Sequence, residues 1–178
     1  MAKVLITGGA GFIGSQLGYK LHKEGHEVIL IDNMSFGHED NLTINGEKFG
    51  TFVLEDVRNE SVGKWFEGVD YVYHFAGIAP LPNCQENPYN AIDVNVGGTA
   101  NVLEFSRLNG VKRFIFASTS AIYENNKKAP FAESDDVSPD LIYSTSKLQS
   151  EKLCNSFNKS YGLETVILRF FNVYGPHQ

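Results

Sequence analysis

The chain has 178 residues, 42% of them hydrophobic, enough for one domain with a sizeable core. Its formal charge of −6, with no basic cluster beyond Lys127-Lys128, argues against nucleic acid or an anionic membrane as the main partner. No apolar run reaches membrane-spanning length, and the apolar start is too short for a signal peptide. Cys84 and Cys154 lack metal-type spacing and read as free thiols of a reducing, cytoplasmic compartment. His22 and His26 are four apart with Gly25 between them, so no metal pair is expected.

Val4-Leu5-Ile6 is a short apolar run of the kind that makes a parallel strand buried on both faces. Gly8, Gly9, Gly11 and Gly14 follow, and then an amphipathic helix with Ile13, Leu17 and Leu21 on one face and Gly25 as its cap. Such glycines permit a tight strand-to-helix turn and close backbone approach to a pyrophosphate, which the helix N-terminus then attracts. A second strand, Val28 to Ile31, closes on Asp32, eighteen positions after Gly14, where a carboxylate accepts hydrogen bonds from an adenosine ribose. That carboxylate would repel a 2′-phosphate, so NAD is expected over NADP.

Residues 33 to 50 read as a loop with room for a short helix, and 51–55 as a third strand running into Asp56-Val57. A short helix over 61–66 and a fourth strand over 71–76 come next. A proline-rich loop over 78–88, a long helix over 89–108 and a fifth strand over 114–117 follow, then Ser118-Thr119-Ser120. A polar loop over 124–140 precedes a helix over 142–161, with Leu148 and Leu153 as core candidates. A sixth strand over 165–168 leads to Tyr174-Gly175-Pro176. This alternation predicts one α/β domain over 1–178, a doubly wound parallel sheet of six strands with helices on both faces. Its ligand belongs at the carboxyl ends of the strands, where Gly8, Asp32, Asp56, Gly77 and Thr119 all fall.

Tyr143 and Lys147 stand four apart and share a helix face. A free phenol ionises near pH 10, but a neighbouring ammonium and an oxidised nicotinamide stabilise the phenolate. The pair is therefore a candidate for deprotonating an alcohol as hydride leaves its carbon, with Thr119 hydrogen-bonding the reacting oxygen.

TGGAGFIG, Asp56-Val57, His74-Phe75-Ala76-Gly77, Asn95-Val96-Gly97-Gly98-Thr99, Tyr143-Ser144-Thr145-Ser146-Lys147 and Arg169 to Pro176 occur in this order. Together they resemble the extended short-chain dehydrogenase/reductases, and most of all their NAD-dependent nucleotide-sugar epimerases and dehydratases. The resemblance implies cofactor contacts from Gly8, Gly11, Phe12, Ile13, Gly14, Asp32 and Asn33, with Asp56 and Val57 at the adenine. It implies further places around the cofactor for Phe75, Ala76, Gly77, Asn95, Ser118, Tyr143, Lys147 and Phe170, with Asn95 packing under the site and Ser118 touching the nicotinamide half. Thr119 and Asn172 would reach the sugar nucleotide, and a homodimer would form through the helices 89–108 and 142–161, with Val102, Phe105 and Leu153 as candidate contacts.

Departures from the pattern bear on the reaction. Thr119 is followed by Ser120-Ala121, where the family's 4,6-dehydratases carry Asp-Glu and its decarboxylases carry a Glu two residues on. HFAG is a form seen in UDP-galactose 4-epimerases, so 4-epimerisation of a UDP-hexose through a 4-keto sugar is the favoured expectation. Glu124 replaces the usual glycine after Tyr123 and stands as a candidate acid for an elimination, which keeps a dehydratase open, beside a reductase. The resemblance implies a further lobe after Tyr-Gly-Pro that binds most of the nucleotide sugar. The substrate half is expected to be missing from these residues, as in a fragment or a short protein completed by another chain, and a non-catalytic NAD-binding module is the alternative.

Overall fold

The structure, a computed structural model, describes residues 1–127 and 129–175. Lys128 of the basic pair and Pro176 of the closing motif lie outside the described residues. In chain order the strands are β1 (Lys3–Thr7), β2 (Glu27–Asp32), β3 (Thr43–Ile44), β4 (Glu47–Lys48), β5 (Thr51–Leu54), β6 (Tyr71–His74), β7 (Arg113–Thr119) and β8 (Thr165–Phe170). Six of them form one sheet in the order β5-β2-β1-β6-β7-β8, and every pairing in it is parallel. The order reverses between β1 and β6, which opens a crevice at the carboxyl ends of these two strands.

The apolar runs behave as buried parallel strands must. Leu5, Ile6, Leu30 and Ile31 are fully buried because both sheet faces are covered. On one face Leu17, Tyr19 and Leu21 of α1 (Phe12–Lys23) pack over Val4, Ile6, Val28 and Leu30. On the other, Phe66, Val102, Leu103 and Cys154 pack over Leu5, Phe114 and Phe116. Ile13 departs from the expected stripe and faces the crevice instead. Val102 is fully buried in this core, so it is not a dimer contact, and Phe105 packs on Phe66 with ring centroids 5.7 Å apart.

Two stretches read as loops hold structure of their own. Residues 33–50 carry a 3₁₀ turn (Glu39–Leu42) and the antiparallel pair β3–β4. The proline-rich stretch contains α2 (Leu81–Glu86), because Pro82 sits in the first turn, where its missing N–H costs nothing. The expected helix at 61–66 is 3₁₀ over Glu60–Phe66. The expected long helix is α3 (Pro88–Ile92), a π-helical segment (Asp93–Gly98) and α4 (Thr99–Leu108) in succession. The π segment coincides with side chains entering its ladder: Thr99 Oγ1 and Ser150 Oγ both donate to the Asn95 carbonyl, at 2.6 and 2.8 Å.

The helix α5 (Ile142–Tyr161) has the expected bounds and ends on Gly162 at φ +73°. Its buried face is polar: Ser144, Ser146, Lys147, Ser150 and Glu151, with Cys154. Leu153 packs at the core margin as expected, whereas Leu148 remains half-buried outside it. β7 begins one residue earlier and ends two residues later than read, so Ser118 and Thr119 end the strand instead of following it.

Candidate active site

Two adjoining clefts of about 640 and 600 Å³ run along the carboxyl ends of the strands and share Gly8, Gly11, Phe75 and Gly77, forming one long groove. Its midpoint is the glycine turn. Gly8 has φ +71°, and a Cβ there would sit 2.8 Å from the Ala76 nitrogen; at Gly14 it would sit 2.2 Å from the Gly8 carbonyl oxygen. The turn thus leaves backbone where a side chain would otherwise stand. The first turn of α1, with no acidic side chain, presents unpaired N–H groups at Phe12, Ile13 and Gly14. This cradle fits a pyrophosphate.

On one side lies the adenosine-type end. The Asp32 carboxylate accepts from Ala10 N–H at 3.0 Å and Met34 N–H at 2.8 Å. These two bonds aim it at the groove and leave further lone pairs free for a ribose. Asp56 and Val57 also line this end, but the Asp56 carboxylate is already engaged: it accepts from Arg58 Nε at 2.9 Å, Arg58 Nη2 at 2.7 Å and Asn33 Nδ2 at 2.9 Å. The Arg58 guanidinium holds its carboxyl well below the usual range. Arg58 also donates to Asp93 at 2.9 Å, tying the β5 end to the π segment. Sequence reasoning missed Arg58; its position two residues after Asp56 was the available signal.

The reacting end collects Ser118, Thr119, Tyr143, Lys147, Phe170 and Asn172. Lys147 is 6% exposed, donates to the Ala117 carbonyl at 2.9 Å and lies 5.0 Å from the Phe116 ring centroid. Burial pulls its ammonium down to about 8. Burial pushes the Tyr143 phenol up, and the neighbouring Thr119 hydroxyl offsets part of that. Thr119 Oγ1 also accepts from Ala121 N–H at 3.1 Å, capping a 3₁₀ turn (Ser120–Tyr123). Phe170 meets Phe75 edge-to-face at 6.2 Å.

Asn95 packs under the site, as the resemblance implies, and the Ser118 side chain turns away from the groove. Asn95 is 1% exposed and lines neither cleft. Its amide accepts from Ile78 N–H at 2.7 Å and donates to the Ile78 carbonyl at 3.1 Å and Ser146 Oγ at 3.0 Å, pinning the loop after β6 to α5. The Ser118 hydroxyl points down to Glu151, donating at 2.5 Å, so only the rest of the residue meets the groove. Glu151 in turn accepts from Arg169 Nε and Nη2 at 3.0 and 2.8 Å. This network was not foreseen, although Tyr143, Lys147 and Glu151 share one helical spacing. Nor was the buried His74, whose Nδ1 lies 2.6 Å from Thr7 Oγ1 and Nε2 2.9 Å from Thr99 Oγ1.

Glu124 lines neither cleft. Its carboxylate accepts from the backbone N–H groups of Asp140 and Leu141 and from the Ser144 hydroxyl, at the start of α5. An elimination acid must reach the reacting carbon, so that role is not supported.

Among known proteins, the model of the NAD dependent epimerase/dehydratase family matches residues 4–178. The chain superposes on UDP-glucose 4-epimerase from Thermotoga maritima, solved with UDP-glucose, with a TM-score of 0.94 and 36% identity, covering 99% of this chain and 57% of that one. DesIV of Streptomyces venezuelae, a dTDP-glucose 4,6-dehydratase solved with NAD, gives 0.92 and 30% over 99% and 57%. UDP-glucuronic acid decarboxylase 1 of Xenopus tropicalis is 35% identical over 98% of this chain and 42% of its own length. The chain spans little more than half the length of the first curated relatives it matches, 57% and 58%. With the match running through the glycine turn, the Tyr143–Lys147 helix and the strands between them, the chain belongs to the NAD-dependent epimerase/dehydratase family.

Proposed function

We propose that the chain is the cofactor-holding and proton-transferring part of an NAD-dependent nucleotide-sugar 4-epimerase, with a UDP-hexose as substrate. The observation that carries this reading is the composition of the reacting end. It presents a phenol, an ammonium and a hydroxyl, and no carboxyl side chain among the described residues that line it. Eliminations and decarboxylations are served by an acid at that position; a reversible oxidation at an alcohol carbon needs only a base and a hydride acceptor.

In this reading the Gly8–Gly14 turn holds the pyrophosphate of NAD and Asp32 its adenosine ribose. NAD supplies reversible hydride acceptance when bound. Tyr143 takes the proton of the sugar 4-hydroxyl and returns it after the 4-keto sugar has turned over. Lys147 favours the phenolate by its charge, and its ionisation near 8 keeps that charge responsive around neutral pH. Thr119 holds the reacting oxygen. Asn172, which lines the same end, would contact the sugar nucleotide.

The test is NMR of the purified chain with NAD and a panel of UDP- and TDP-hexoses. A C4 epimer accumulating without net NADH is the expected result. Tyr143→Phe should lower turnover by about 10²–10⁴-fold and leave NAD affinity within about twofold. Equal turnover by the two proteins overturns the reading. Because the chain spans about half of its relatives' length, NAD binding without any product would favour a non-catalytic cofactor module.

A second copy of the chain is the proposed partner. Ile92, Val96, Ile142 and Leu153 line an apolar groove of about 260 Å³ between the π segment and α5, with Ile92 46% exposed. A dimer in sedimentation that Ile92→Glu converts to monomer is the check. A reducing, cytoplasmic setting is proposed for the two buried free thiols; no helix among the described residues is long and apolar enough to cross a membrane.

A further inference from the structure

Tyr143 is the second residue of α5. It therefore lies in a first turn, whose N–H groups have no intrahelical acceptors and which frays when left alone. The residue at the cap position, Leu141, supplies no side-chain acceptor. A leucine there is among the poorest of caps. The acceptor comes from elsewhere in the chain. Glu124 Oε1 accepts from both Asp140 N–H and Leu141 N–H, the latter at 2.9 Å, and Oε2 accepts from Ser144 Oγ at 3.0 Å. Glu124 itself ends the 3₁₀ turn that Thr119 caps through Ala121 N–H. From Thr119 the path through the turn, the Glu124 carboxylate and the first turn of α5 arrives at Tyr143, which lines the same end of the groove as Thr119. The two groups assigned to the reacting oxygen are thus connected through the Glu124 carboxylate, which joins the turn after β7 to the start of α5.

From these contacts we infer that Glu124 is a positioning residue, one that fixes Tyr143 in the groove beside Thr119 by clamping the start of α5 from the loop after β7. The inference rests on the catalytic reading of Tyr143. It differs from a general contribution to stability in being local, and from an electrostatic role in depending on reach. Gln keeps the length and an acceptor for the two amides, and its NH₂ can donate to Ser144 Oγ; Asp keeps the charge but falls one methylene short.

The experiment compares Glu124→Gln, Glu124→Asp and Glu124→Ala with the parent chain and with Tyr143→Phe. Amide exchange by NMR is read at residues 140–146 and in the sheet. Exchange in the first turn should rise about tenfold or more in the Asp and Ala variants, return to the parent rate in Gln, and stay unchanged in β1 and β6. Where the parent turns over sugar, kcat should fall about tenfold in Asp and Ala with NAD affinity held, since a small misplacement of a reacting group is that costly. A second readout needs no turnover: ultraviolet difference titration of the NAD complex against Tyr143→Phe isolates the Tyr143 phenol. Its midpoint should shift upward in Asp and Ala and not in Gln. Equal behaviour of all three variants and the parent, or rescue by Asp instead of Gln, overturns the positioning role. A Tyr143→Phe protein that keeps full turnover overturns the catalytic reading instead, and leaves the exchange result to judge the clamp alone.

Discussion

His74 shows how much a single buried side chain settles. Thr99 Oγ1 spends its proton on the Asn95 carbonyl at 2.6 Å, so it accepts from His74, and the imidazole proton is on Nε2. Nδ1 then accepts from Thr7 Oγ1, which itself accepts from Ala76 N–H at 3.2 Å. The ring also lies against Phe114 and Phe116, with centroids 5.7 and 6.0 Å away. A neutral histidine thereby ties the loop that lines the groove to the π segment. Burial, with the nearby Lys147 charge, pulls it down to about 3 from an ordinary 6.5. Between those values the unfolded chain binds the proton and the folded one does not, so stability falls as pH drops from about 6.5 toward 3. The slope from this group approaches about 1.4 kcal/mol per pH unit. Chemical unfolding between pH 6.5 and 4 should show it, and His74→Gln should flatten it while lowering stability at pH 7. Parallel pH dependences for the two proteins would refute the assignment.

At the scale of elements, α5 is joined to two strands by charge as well as by apolar packing. Glu151 is 4% exposed, and its carboxylate joins Ser118 at the end of β7 to Arg169 on β8. Arg169 Nη1 continues to Tyr123 Oη at 2.5 Å, in the turn that Thr119 caps. Removing the arginine leaves a buried carboxylate unpaired. Arg169→Leu should therefore destabilise by about 3–5 kcal/mol, and the pair Glu151→Gln with Arg169→Leu should recover much of it. Denaturant unfolding of the two variants measures this; equal losses would mean that the pair is not coupled. The same elements show which part of the molecule the sequence discloses. Strands β1 and β2, the glycine turn and the bounds of α5 are legible because periodicity and glycine caps are local signals. The π segment, the helix in the proline-rich stretch, the bond from Asn95 to Ser146 and the bond from Arg58 to Asp93 are not. Each depends on a partner distant in sequence or on geometry that propensity does not encode: Asn95 meets Ser146, and Arg58 meets Asp93. Glu124 is the sharpest case, since as a sequence departure it suggested chemistry and in the fold it caps a helix.

For the molecule as a whole, the groove crosses the reversal in strand order, so a bound dinucleotide would touch β1, β2, β6 and β7 together. A ligand that spans these strands binds only when they are assembled, and its free energy adds to that of the fold. At a hundredfold excess of NAD over its dissociation constant the gain is about 2.7 kcal/mol. In a chain of this size that raises the melting temperature by about 5–11 °C. Gly14→Ala separates the contribution of the turn from that of the remaining walls. Its methyl would fall 2.2 Å from the Gly8 carbonyl oxygen, so the turn must shift and the phosphate cradle with it. The variant should lose most of the NAD-dependent shift, whereas Tyr143→Phe, which alters only the phenol at the reacting end, should keep it. Differential scanning calorimetry with and without NAD decides between them. Loss of the shift in both would place the cofactor's main hold at the reacting end, and loss in neither would place it on the Asp32 side of the groove.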